Sequence, residues 1–160
     1  MEKGNRIIII LSCTCCVALC AMVLALACGR KTMLQNFTPP PFEVNALSGT
    51  PQATDCLGWR ELDTEAFCVG ICAEVSIEND HVNVWLTNPE HNSVWIKLRI
   101  LDNQGNTLGE TGLITPGQYV QSVVLESVPA AGSSVALKVM AYEPETYHSA
   151  GSVSINTSIY

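Results

Sequence analysis

Phe67 to Glu78 reads FCVGICAEVSIE: Phe67, Val69, Ile71, Ala73, Val75 and Ile77 fall on one parity, and Cys68, Gly70, Cys72, Glu74, Ser76 and Glu78 on the other. Successive side chains of an extended strand point to opposite faces, so a period of two predicts a strand with one face in a core. Asn79-Asp80 supplies a turn. His81 to Thr87 (HVNVWLT) then alternates again, with Val82, Val84 and Leu86 inward, which predicts a hairpin.

The pattern continues toward the C-terminus. After the turn residues Asn88 to Asn92, the stretch Val94 to Asp102 (VWIKLRILD) buries Val94, Ile96, Leu98 and Ile100 and shows Trp95, Lys97 and Arg99 on its other face. Asp102 to Asn106 reads as a hairpin loop with Gly105 in a left-handed conformation, followed by a short edge piece, Thr107 to Glu110. Thr115-Pro116-Gly117-Gln118 has proline and glycine at the central places of a type II turn. It launches Tyr119 to Glu126, where alternation is blurred. Ser134 to Tyr142 buries Val135, Leu137, Val139 and Ala141, and a loop, Glu143 to Gly151, leads to a last strand carrying Val153, Ile155, Thr157 and Ile159 on one face. About seven short strands with turns between them and no amphipathic helix predict an all-β fold, a single antiparallel two-sheet sandwich of immunoglobulin-like or fibronectin-III-like type.

Three blocks, Leu86-Thr87-Asn88-Pro89-Glu90, Gly112-Leu113-Ile114-Thr115-Pro116-Gly117 and Ala141-Tyr142-Glu143-Pro144, resemble those of small, uncharacterised, membrane-anchored β-sandwich proteins from the surface of Gram-positive gut bacteria. The resemblance spans roughly residues 67 to 159. It implies an exported bacterial sandwich domain and carries over no catalytic residue and no ligand.

Upstream, Ile7 to Cys28 is 22 residues without a charge or a proline. At about 1.5 Å per residue a helix of that length crosses a hydrocarbon core of about 30 Å. The positive leader, residues 1–6 (MEKGNR), favours a cytoplasmic N-terminus and an extracytoplasmic domain. Residues 7–28 therefore read as a transmembrane anchor or as a lipoprotein-type signal. In the second reading Leu24-Ala25-Leu26-Ala27-Cys28 resembles a lipobox with Cys28 as the lipidated residue, although leucine stands one place late. A prepilin-type leader is suggested by Lys3-Gly4, but the position that would hold glutamate holds Ile9. An anchored chain keeps residues 1–27, whereas a lipoprotein loses them. Residues 29–55, with Thr38-Pro39-Pro40-Pro41-Phe42, read as an extended linker, and residues 56–160 as the ectodomain.

Charge divides the same way. Residues 32–160 hold 4 basic and 14 acidic side chains. Four scattered cations form no stripe that could release counterions from a phosphate backbone, which excludes a nucleic-acid partner.

Few motifs suggest chemistry. No Gly-x-Ser-x-Gly elbow is present, and His81, His91 and His148 lack metal-ligand spacing, so no catalytic residue, metal or cofactor is expected. The acidic residues Asp55, Glu61, Asp63 and Glu65 lack the glycine and spacing of a calcium loop and read as a solvated segment. Cys68 and Cys72, four residues apart on one strand, would lie about 13 Å apart and cannot bond to each other. Either Cys56 pairs with one of Cys68 and Cys72, leaving the other free, or all three stay reduced.

The outward Trp85 and Trp95, on consecutive strands with Lys97 and Arg99, are expected near each other as a binding face for a protein or a sugar ring. The opposing reading is that residues 45–66, including Trp59, cover that face. Tyr142 and Tyr147, at and within the loop 143–151, form a second candidate. The overall expectation is a protein-interaction or structural module of the bacterial cell surface. It would be tethered to the membrane through residues 7–28 and engage a surface or envelope protein. A carbohydrate-binding module using Trp85 and Trp95 is the alternative.

Overall fold

The computed structural model describes residues 37–52 and 58–159, together with Cys20 and Met22, which are helical and exposed. The apolar segment as a span, Cys28 and Cys56 lie outside the described residues. Among the described residues no helix is long and apolar enough to cross a membrane.

From Pro39 onward the chain is one compact unit, and its described residues form ten strands. They are β1 (Leu47–Ser48), β2 (Trp59–Asp63), β3 (Cys68–Cys72), β4 (Ile77–Glu78), β5 (His81–Asn88), β6 (Trp95–Leu101), β7 (Thr107–Glu110), β8 (Gln118–Val124), β9 (Ser134–Tyr142) and β10 (Ser149–Ser158). One sheet runs β1-β8-β5-β3-β2, with β4 also paired to β5, and the other runs β10-β9-β6-β7. All strand pairs within both sheets are antiparallel. The alternating residues of both sheets meet in a single core of Val69, Ile71, Val82, Val84 and Leu86 from the first sheet and Ile96, Leu98, Ile100, Leu137 and Val139 from the second. The fold is an all-β, two-sheet antiparallel sandwich, and the inward parities expected for β3, β5, β6 and β9 are the buried ones.

The stretch 67–78 is less continuous than its pattern. β3 ends at Cys72, Val75 makes an isolated parallel bridge to Ile159, and Ile77-Glu78 resumes pairing as β4. Burial follows parity across the break, because Ala73 and Val75 remain in the core. The hairpin at Asn79-Asp80 is present, with Glu78 opposite His81 and Asn79 at φ 61°. In the Thr115–Gln118 turn Gly117 takes φ 76° and the Gln118 N–H donates to the Thr115 carbonyl at 3.2 Å.

Two segments depart from the sequence expectation. Residues 41–48, read as linker, lie along the sandwich. Glu43 N–H donates to the Leu113 carbonyl at 2.9 Å, Leu113 N–H donates to the Pro41 carbonyl at 2.9 Å, and Leu47 pairs with Tyr119. A proline run dictates extended backbone, and extended backbone next to an open edge takes up its hydrogen bonds. Residues 59–63, read as a solvated acidic segment, form the edge strand β2 against β3. An edge strand tolerates Arg60, Glu61 and Asp63 because one side of it meets solvent.

Candidate functional site

The two tryptophans do not share a face. β5 belongs to the first sheet and β6 to the second, so the link from β5 to β6 crosses the core and is not a hairpin. Trp85 alternates with the buried Val84 and Leu86, and Trp95 with Val94 and Ile96, which puts the indoles on opposite outer faces of the sandwich. The expectation of a joint Trp85–Trp95 surface is thereby corrected. Strands adjacent in sequence pair only when the connection returns to the same sheet.

The second sheet gathers the remaining candidates. Trp95 is directly opposite Tyr142, its ring meets Phe42 edge-on at 4.9 Å between centroids, and Tyr147 packs on it at 5.4 Å. Phe42 is delivered by the segment bonded to Leu113. Tyr147 is turned inward by a left-handed φ of 57° in the loop 143–148, where its N–H donates to the Glu143 carbonyl at 3.0 Å. Beside them Lys97, only 6% exposed, donates to Glu110 at 2.7 Å, and Arg99 Nε reaches the other carboxylate oxygen at 3.0 Å. The structure thus unites Trp95, Lys97, Arg99, Tyr142 and Tyr147 on one face. Phe42 and Tyr147 already contact the Trp95 ring, and Glu110 holds both cations, so the arrangement pins the segment around Phe42 and the loop 143–148 to the sheet.

Burial acts to raise the pKa of Glu110, but hydrogen bonds and charge from Lys97 and Arg99 outweigh it, so the carboxyl titrates below its ordinary value. Asp102 is also lowered, by hydrogen bonds from the Asn106 side chain and backbone within the β6–β7 loop. A carboxylate with a depressed folded-state pKa contributes stability that is complete above the unfolded value of about 4.3 and vanishes as pH falls through the folded value. We expect Glu110→Gln to lower stability by about 1 kcal/mol at pH 7, a figure kept small because a third of the side chain meets solvent. The loss should shrink toward zero on acidification below about pH 4. Thermal midpoints of both proteins measured from pH 2 to 7 check this.

The first sheet carries a different aromatic group. Asn83 pairs with Ser122 but Leu86 pairs with Val120, so two residues of β5 oppose Gln121 alone in a β-bulge. Trp85 occupies that bulge at φ 47°, a left-handed conformation that is a true outlier for a bulky side chain and costs on the order of 1–3 kcal/mol. Its indole stacks on Tyr119, centroids 6.1 Å apart and planes 24° from parallel. In register across the sheet lie Leu47, Tyr119, Thr87 and Gly70. Gly70 has no side chain because Trp59 from β2 takes the space. A Cβ there would stand 2.4 Å from the Trp59 ring. Trp59, Leu47 and Val124 are 41%, 49% and 52% exposed. Trp59 therefore covers part of this face, in line with the opposing reading, while Trp85 and Tyr119 are half-buried. Two shallow depressions adjoin them, one of about 350 Å³ lined by Thr87, Glu90 and Gly117, the other of about 300 Å³ lined by Leu47, Gln121 and Ser122.

No family model and no curated protein matches the sequence. Among solved structures, Ruminococcus gnavus β-glucuronidase in complex with uronic isofagomine aligns with a TM-score of 0.36 and 10% identity, over 56% of this chain and 15% of that one. A likeness at that level argues for neither fold nor activity.

Sequence reasoning missed Tyr119 as a member of the first-sheet face and named Trp59 only as a cover for it. The blurred alternation of 119–126 is the trace left by the bulge, since Val120, Val123 and Leu125 are the buried positions there. Of the cysteines, Cys72 is disulfide-bonded and Cys68 is a free thiol. Cys68 Sγ donates to Asp63 at 3.0 Å, and that bond, with the nearby negative charge, raises its pKa and keeps it protonated. The three histidines are exposed. His81 contacts Asp80 at 2.6 Å and His148 approaches Glu143 at 3.9 Å.

Proposed function

We infer that this chain is a membrane-tethered, extracytoplasmic interaction module of the bacterial cell surface, with no catalytic role, and that it meets its protein partner through the outer face of the first sheet, centred on Trp85. The observation that carries the reading is the strained, half-buried Trp85 stacked on Tyr119. A bulge re-aims a side chain, and a left-handed tryptophan persists only where its surroundings over-determine it. Trp and Tyr are the residues most enriched at interface centres because they bring large area at low entropic cost. The strand order supports an immunoglobulin-like or fibronectin-III-like module. With β3, β5 and β8 taken as A, B and E and β6, β9 and β10 as C, F and G, the two groups fall on separate sheets as in that fold. Tethering rests on the length and apolarity of residues 7–28, as a spanning helix or a signal ending in the lipidated Cys28.

A second reading, carbohydrate binding, is favoured by the stacked Trp85–Tyr119 pair with the exposed Gln121 amide beside it, an aromatic surface with a hydrogen-bonding group near its rim. Trp95 has no part in this version, since Phe42 and Tyr147 already pack against its ring. Trp85→Ala should abolish co-purification of a partner from solubilised membranes in the first reading, or glycan-array binding in the second. Trp95→Phe should leave either intact. Binding indifferent to Trp85→Ala would reject both.

A further inference from the structure

A sandwich exposes four sheet edges, and three of them here are blunted. β1 is two residues long and leaves open only the five residues 120–124 of β8, β7 is four residues and ends in Glu110, and β2 carries Arg60, Glu61 and Asp63. Short or charged edges resist pairing with another chain. β10 differs. It is ten residues (SAGSVSINTS) without a charge or a proline, and among the described residues it is paired only to β9 along its length. Among the described residues, the one backbone bridge on its far side, Val75 to Ile159, lies beyond its end. Every second residue therefore directs its N–H and C=O away from the sheet.

We propose that the open edge of β10 pairs antiparallel with β10 of a second copy of this chain, extending the four-stranded sheet across a two-fold axis. Charge confines the contact between two copies to this edge. Residues 32–160 hold 14 acidic against 4 basic side chains, so two copies repel over most of their surface, and β10 is a neutral strip along which they can meet without like charges in contact. The strand is also self-complementary. With the axis through Ser154, Ser154 faces itself, Ser152 faces Asn156 of the second copy, and Val153 faces Ile155 of the second copy. Apolar residues then meet apolar ones on the core side, where Val153 and Ile155 already pack against the core, and hydroxyls meet amides outside.

The register makes the test specific. Paired Cα atoms lie about 4.5–5.5 Å apart, within the disulfide range of about 4.4–6.8 Å. Full-length Ser154→Cys in a Cys68→Ser background, oxidised in its own membrane, should give a 154–154 linked peptide by mass spectrometry. Its yield should be at least tenfold that of the corresponding linked peptide from a Gln121→Cys control on the other sheet. Ser154→Lys and, separately, Ser152→Glu are exposed changes that should each cut the dimer fraction of the detergent-solubilised chain at least tenfold in sedimentation, with near-ultraviolet circular dichroism unchanged. Equal crosslinking at both sites, a monomer up to about 100 µM, or a dimer insensitive to both charged variants would overturn the proposal. Trp85→Ala, which lies on the other sheet, should leave the dimer intact. Failure of the β10 interface and failure of the Trp85 face are therefore read separately.

Discussion

Asn88→Ala should cost the sandwich about 3–5 kcal/mol, the largest effect we expect of any single polar substitution. Asn88 is fully buried. Its amide group donates to the carbonyls of Val94 and Ile114, each at 2.9 Å, and its oxygen accepts from Asn92 at 2.7 Å. Asn92 in turn donates to the Cys68 carbonyl at 2.6 Å and accepts from the Cys68 N–H at 3.0 Å. The pair thus ties the β5–β6 crossing, the start of β3 and the bridged residue Ile114 before the Thr115 turn into one junction. Truncation leaves the buried Val94 carbonyl without its partner, at about 1–3 kcal/mol, and takes one of the two hydrogen bonds from the Ile114 carbonyl and from the Asn92 amide, at about 1 kcal/mol each. Asn88→Asp keeps the shape but turns an acceptor toward two acceptors, so it should be at least as damaging. Urea unfolding followed by tryptophan fluorescence measures both. A loss below about 1 kcal/mol would mean that water replaces the amide and that the junction contributes little.

Gly112→Ala should free the segment 41–43 and destabilise the domain by about 2–3 kcal/mol. A Cβ at Gly112 would stand 2.6 Å from Glu43 N, 2.7 Å from the Phe42 carbonyl carbon and 2.8 Å from Glu43 Cα, all backbone atoms that cannot swing aside. Three hydrogen bonds depend on this closeness: Glu43 N–H to Leu113, Leu113 N–H to Pro41, and Gly112 N–H to Glu43 Oε2 at 2.7 Å. Their loss withdraws Phe42 from Trp95 and exposes the indole. Limited proteolysis should cut residues 39–48 at least tenfold faster than in the parent, with a red shift in tryptophan emission. Unchanged cleavage would show that the segment holds without these contacts.

The alternation of residues 67–78, 81–87, 94–102 and 134–142 was sufficient to name the buried side chains, because parity is a property of the backbone and survives breaks such as that at Ala73–Ser76. Pairing between strands was legible at the β4–β5 and β6–β7 hairpins and not across the other links. The short link after Asn88 looks like a hairpin turn, and only the buried Asn88–Asn92 junction, a tertiary arrangement, shows that it crosses between sheets. That crossing separated Trp85 from Trp95. The bulge at Trp85 likewise has no glycine to announce it and depends on the register against β8. β2 escaped notice because an edge strand with charges on it keeps too few apolar residues to display a period. The aromatic packing of Trp95 with Phe42 and Tyr147 was hidden for a related reason: residues 53 and 52 positions distant reach it only after the strap and the loop have folded back.

The claim that the Trp85 face is where this module meets its partner is tested most directly by photo-crosslinking in living cells. A photoreactive phenylalanine analogue at the exposed position Gln121, opposite the bulge, should give a discrete adduct in the full-length chain. That adduct should fall at least tenfold when Trp85→Ala is added, while the same analogue at Gln104 in the β6–β7 loop gives none. An adduct that persists undiminished with Trp85→Ala, or equal adducts from Gln104, would contradict the account.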